Sequence, residues 1–171
     1  MVASVKYEIV RKLSKVEIRQ YPNIVIARVE GYEDEGFGLL FRFISGENKQ
    51  KTKVKMTAPV VSQRIGMTAP VLSDTGSMAF VMPEAYRIET TPEPLDNRIK
   101  IVEIPARVVA ALRFSGRWSE SLFNAKTEEL LEELAKVKIK TIGNVFTMLY
   151  NAPYTPGFMR RNEVAIEVEL D

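Results

Sequence analysis

Four methionines, Met56, Met67, Met78 and Met82, are the softest chemistry-bearing groups in a chain that has no histidine and no cysteine. Those two absences remove disulfides, thiolate nucleophiles, the usual zinc and transition-metal sites, and every Ser-His or Cys-His mechanism. What remains is thioether, phenol, carboxylate and cation. Thioether side chains are flexible and polarisable, so several facing one cavity could line an apolar ligand pocket. Two of the four open a doubled pentapeptide, Met-Thr-Ala-Pro-Val at Met56–Val60 and again at Met67–Val71. Its threonines, Thr57 and Thr68, have no base to activate them and are poor nucleophiles. Glu84, Tyr86 and Tyr150 carry acid-base groups, but no spacing unites them. No catalytic constellation is expected, and no metal site.

The rest of the composition bounds the molecule that must position these groups. The chain has 171 residues, of which 46% are hydrophobic and 27% charged. That is enough for one domain burying about 70% of its unfolded surface. A net charge of +2, with no basic block, makes nucleic acid an unexpected partner. The first residues alternate charged and apolar types, and no run approaches the length of a membrane span. A single soluble, cytoplasmic domain over residues 1–171 with no membrane partner is therefore expected.

Period-two alternation dominates, as in half-buried strands. In the final segment Val164, Ile166, Val168 and Leu170 share one face, and Glu163, Glu167 and Glu169 share the other. Less regular versions run over residues 5–10, 16–21, 24–30, 78–82, 99–104, 107–114 and 145–150. Two stretches change period. Phe37, Leu40, Phe41 and Ile44 follow helical spacing, with Glu33, Asp34 and Glu35 at the N-terminal end and Gly46 as a stop. Leu122, Phe123, Leu130, Leu131, Leu134 and Val137 form the stripe of a second helix that Ser119 can cap. The acids Glu128, Glu129, Glu132 and Glu133 read as its solvated face.

An echo offset by about 85 residues joins these elements. Val16-Glu-Ile followed by Ile24–Gly31 has its counterpart in Val102-Glu-Ile followed by Val108–Gly116, and a helix follows each. This predicts an α+β fold of two related strand-helix-strand units about a pseudo-two-fold. For the doubled pentapeptide the expectation is a hairpin turning at Ser62-Gln63, with Thr57 opposite Thr68. Pro59 and Pro70 must then lie at strand ends, bulges or unpaired positions, because proline cannot donate to a ladder.

The paired pentapeptides, Phe80-Val-Met-Pro83, Phe114-Ser-Gly116, and Asn151-Ala-Pro-Tyr-Thr-Pro-Gly-Phe158 running into Arg160-Arg-Asn-Glu163 together resemble the SOUL haem-binding protein family. So do Tyr7-Glu-Ile-Val and Val16–Tyr21, and the match covers almost the whole chain in the family's order. The resemblance implies a strongly twisted antiparallel sheet, or distorted barrel, packed on two helices in pseudo-symmetric halves. It also implies non-catalytic binding of haem or another tetrapyrrole in an apolar groove beside the first helix. The groove residues carried over are Phe37, Phe41 and Arg42 on the helix and Met148, Leu149 and Tyr150 on a later strand. Arg42 or Lys49 would pair the porphyrin carboxylates. Without His or Cys, axial candidates reduce to Met and Tyr, with Lys remote, so ring and propionates would dominate binding. The alternative is an effector-binding module of the gyrase-inhibitor-like type, taking other apolar or cationic molecules. A buried carboxylate in the groove would favour cations, and an arginine rim would favour haem carboxylates. Arg160 and Arg161 beside Asn162 and Glu163 are expected to fix a turn through an ion-pair and hydrogen-bond network, and Trp118 to close the core. Protein partners are unknown.

Overall fold

The computed structural model describes residues 3–30, 33–63, 76–151 and 154–171. The second pentapeptide, with Met67, Thr68 and Pro70, lies outside them. In chain order the described elements are β1 (Ala3–Ser4), β2 (Glu8–Leu13), β3 (Val16–Tyr21), β4 (Ile24–Glu30), α1 (Glu33–Ile44), β5 (Thr57–Gln63) and β6 (Ser77–Val81). They continue with β7 (Ile99–Ile104), β8 (Arg107–Phe114), α2 (Glu120–Lys136), β9 (Lys140–Leu149) and β10 (Asn162–Glu169). A short 3-10 turn, Gly157–Met159, precedes β10. The class is α+β; among the described strand pairs with a register, β1 and β5 are parallel and the others antiparallel.

The chain forms two compact units, Met1–Val5 with Asn23–Pro105, and Lys6–Pro22 with Ala106–Asp171. In the first, β4 is flanked by β6 and β7, and β6 pairs β5. In the second, β8 is flanked by β10 and β3; β10 pairs β9, and β3 pairs β2. Both units thus run strand, helix, strand, strand, with the last strand inserted beside the first. That is the predicted 85-residue repeat, with one refinement. The lead strand of each sequence half pairs in the unit built by the other half: β3 lies on β8, and β7 lies on β4. Neither sheet closes on itself within its unit; β7 and β2 are edges.

Each helix covers the apolar face of its own sheet. Leu39, Leu40, Phe43 and Ile44 of α1 pack with Val25, Ala27, Val29, Met78, Phe80, Met82 and Ile99. Leu130 and Leu134 of α2 pack with Val16, Ile18, Ala110, Leu112, Val164 and Ile166. Ser119 caps α2 as expected, its Oγ accepting from the Leu122 amide at 3.1 Å. Trp118 packs at the head of α2 on Phe123, ring centroids 5.2 Å apart. Leu131 and Val137, assigned to the same stripe, are exposed instead. The acidic face is solvated and laced by Lys126–Glu129 and Lys136–Glu133 pairs.

Two expectations are corrected. First, Ser62-Gln63 is not a turn. β5 continues through both residues, with Ser62 opposite Met78 and Gln63 opposite Ser77, so its ladder partner is β6. The proline rule nonetheless holds: the β5–β6 register shifts between Thr57 and Val60, where Ala58-Pro59 leaves the ladder, and the Ala58 carbonyl accepts from Val5 instead. Secondly, the buried stripe of α1 is Gly36, Leu39, Leu40, Phe43 and Ile44, which leaves Phe37 and Phe41 on its flank. Six of the eight residues from 37 to 44 are apolar, so spacing alone could not choose the face.

Candidate functional site

In the first unit, α1 is fixed at both ends. Glu35 in its first turn meets Arg98 at 2.9 Å, and Arg98 also clamps Asp96, whose carboxyl falls to about 2 through that hydrogen bonding. At the other end Gly46 takes a φ of +115°, a conformation glycine adopts without steric cost. The buried Asn48 then ties the following loop, donating to the Phe43 carbonyl at 3.0 Å and accepting from the Thr52 amide at 3.0 Å. The flank held this way presents Phe37, 36% exposed, and Phe41, 50% exposed. Their rings lie nearly parallel, 12° apart with centroids at 6.2 Å. Phe37 also meets the buried Phe80 edge-on at 5.3 Å, which anchors the inner ring and leaves the outer one, Phe41, half exposed.

Arg42 follows Phe41 and is exposed. It lines a cavity of about 290 Å³ with Leu39, Phe43, Glu47, Leu95, Asp96 and Ile99. Its ion pair to Glu47 at 3.5 Å is solvent-exposed and of the kind that contributes little, so the guanidinium can exchange partners cheaply. Lys49 is held by Glu93 at 2.7 Å, also in solvent.

The remaining expected residues belong to the second unit. Met148 is buried, with its sulfur 3.9 Å from the Tyr21 hydroxyl, while Leu149 and Tyr150 are half-buried. The expected set therefore falls into Phe37, Phe41 and Arg42 in one unit and Met148, Leu149 and Tyr150 in the other. Of the residues considered for acid-base chemistry, Glu84 and Tyr86 lie in the turn after β6, in the first unit, and Tyr150 is in the second. Among the described residues no group of three or more acidic side chains could hold a metal ion.

Tyr150 joins a polar cluster that extends the expected Arg161–Glu163 ion pair to Arg19, a residue the sequence did not single out. Arg19, 1% exposed, donates from Nη1 to Glu163 at 2.7 Å and from Nη2 to the same carboxylate. It also donates to Tyr21 Oη at 3.0 Å and to Glu17 at 2.8 and 3.0 Å. Arg161 reaches Glu163 at 3.3 Å and Tyr7 Oη at 3.0 Å, and stacks over Tyr150 at 4.0 Å. Arg19 likewise lies over Tyr7 at 4.3 Å. Burial pushes the Glu163 carboxyl up, but hydrogen bonding from Arg19 and the charges of Arg19 and Arg161 outweigh it and hold the group below its ordinary value. Burial raises the phenols of Tyr21 and Tyr150, the latter helped by the negative charge of Glu163, to which it hydrogen-bonds. Glu163 was expected on an outer face with Glu167 and Glu169. It is instead fully buried, because that face of β10 carries Arg19 and Arg161 over it. Arg161 and Asn162 do fix the turn as expected: the Arg161 amide bonds Asn151, and Asn162 donates to the Gly116 carbonyl at 2.9 Å.

Comparison with known proteins places this arrangement. The sequence profile of the SOUL heme-binding protein family matches residues 2–167. The chain belongs to that family. It is 30% identical over 135 residues to heme-binding protein 2 of Homo sapiens, a match covering 75% of this chain and 62% of the human protein. The Mus musculus protein of the same name is 29% identical over 134 residues, with the same coverage. The chain thus matches less than two thirds of the length of these relatives. Solved structures share the fold at low identity. The C-terminal domain of EcmrR is 12% identical with a TM-score of 0.61, over 96% of this chain and 99% of that one. A hydrolase from Listeria innocua is 10% identical with a TM-score of 0.59, over 94% of each. The structure of SAV2435 bound to tetraphenylphosphonium is 11% identical with a TM-score of 0.52, over 96% and 94%. The family is named for haem binding, and the solved structures show the shared fold alone. No helix among the described residues is long and apolar enough to cross a membrane.

Proposed function

We propose that this protein binds haem or a related tetrapyrrole without catalysis, as a carrier or buffer acting as a single SOUL-like domain, through the exposed flank of α1. The observation that carries the reading is the pair of stacked rings Phe37 and Phe41, both left exposed on the flank of α1. A flat macrocycle offers a wide apolar face to cover them, and Arg42 stands one residue away to pair a propionate. Haem supplies iron when bound. The side chains here supply an apolar platform and a cation, and no imidazole or thiolate exists in the chain to hold that iron. Met148, Leu149 and Tyr150 remain part of the proposed set on family resemblance.

Titration of the protein with haemin, followed in the Soret band, tests the reading. Saturable binding is expected, weakened at least tenfold in Phe41→Asp with the fold retained, since Phe41 is half exposed. No saturable change, or an unaltered affinity in the variant, contradicts it. The cationic-effector reading draws support from the neighbour bound to tetraphenylphosphonium. It has the weaker footing, because the buried carboxylate it would use, Glu163, is already matched by Arg19 and Arg161.

A further inference from the structure

The second unit carries a cavity of about 400 Å³ whose lining is basic. Its origin lies in strand register. Lys12 is opposite Glu17, Glu17 is opposite Ala111, and Arg113 lies two residues beyond Ala111 on the same face and opposite Glu163. The alternate residues, Val16, Ile18, Ala110 and Leu112, face α2, so this second face is left to polar groups. Ala111 contributes a floor of one methyl group, and the longer side chains around it become walls. Arg19 and Arg161 close the back, and Tyr7 with the β2–β3 turn at Ser14-Lys15 completes the rim.

The charges do not cancel. Five cations line the cavity against one carboxylate, Glu17, whose oxygen is taken by Arg19. Glu163 lies behind and is shared by Arg19 and Arg161. Lys15 has a loose contact with Glu129 at 3.7 Å, in solvent. Lys12 and Arg113 have no acidic partner within 4 Å among the described residues, and Arg161 Nε is buried without a hydrogen-bond partner among them. Flexible ammonium groups, a planar guanidinium and a tyrosine hydroxyl around an open space of this volume are what a multiply charged oxyanion needs.

We propose that this cavity is a binding site for a small phosphorylated molecule, with Lys12 and Arg113 supplying the free charge and Arg161 and Tyr7 the fixed donors. A phosphate dianion matches the surplus of positive charge better than a single carboxylate does. The site lies wholly within the second unit and is independent of the platform on α1.

Pyrophosphate is the probe, titrated calorimetrically into the full chain at low salt, with amide shifts recorded in parallel. Saturable binding is expected, with shifts centred on Ser14, Lys15 and Ala111 and affinity falling at least tenfold in the Lys12→Ala, Arg113→Ala double variant. Both residues are exposed and have no acidic partner among the described residues, so the variant should keep its thermal midpoint and its response to haemin. Absence of saturable binding, shifts confined elsewhere, or less than a threefold loss in the double variant overturns the proposal. Failure of haemin binding alone would bear only on the α1 platform.

Discussion

Arg19 and Glu163 set the residue-scale behaviour of the second unit. Two buried charges bonded to each other contribute modest net stability, but removing one strands the other at a cost of about 3–5 kcal/mol. Glu163→Leu should therefore destabilise the protein by up to about 3–5 kcal/mol in urea unfolding, with Glu17 remaining as a partner of Arg19. Arg19→Met combined with Glu163→Leu should recover most of the loss, since it replaces the pair with apolar volume. The cluster also fixes a pH window. The folded-state value of Glu163 is depressed, so its contribution is present above the ordinary carboxylate range and is lost as pH falls through the lower folded value. The phenols of Tyr21 and Tyr150 are raised, so their contribution is present below about pH 10 and is lost as pH climbs beyond it. Ultraviolet titration should show these two tyrosines ionising only with unfolding. Their ionisation without loss of structure would contradict the buried cluster. Of this cluster only the local Arg161–Glu163 ion pair was legible in sequence. Arg19 and Glu163 occupy alternation positions that look solvent-facing, and only the β3–β8–β10 order, set across 144 residues, brings them together.

At the scale of elements, most strands were legible because alternation and burial agree: β3, β4, β7 and β8 fall on the expected boundaries. The β5 pairing was not. Two identical pentapeptides suggest that they face each other, but a strand pairs where its neighbour offers a matching face, and here β6 does. α1 was located correctly, yet its buried side was not, since six of the eight residues from 37 to 44 are apolar. This matters for function, because the misassigned side carries Phe37 and Phe41, whose exposure is what recommends them. The helix caps were readable from local chemistry alone. Ser119→Ala should cost about 1 kcal/mol by removing the acceptor for the Leu122 amide, measured by chemical denaturation. An unchanged midpoint would mean that water satisfies that amide equally well.

For the molecule as a whole, the half-chain echo in sequence became a shared topology in which each lead strand serves the unit built by the other half. Exchange of this kind leaves the repeat visible while making the two units interdependent in chain path. It also separates the roles that the residues suggest: an aromatic platform on one unit, and a buried ion cluster with a basic cavity on the other. The central claim is that a macrocycle is recognised by its face and its carboxylates, without a ligand to iron from His or Cys. Parallel titration of haemin and iron-free protoporphyrin tests it most directly. Dissociation constants within about threefold of each other are predicted; haemin binding at least a hundredfold tighter would show that iron coordination dominates and would contradict the account.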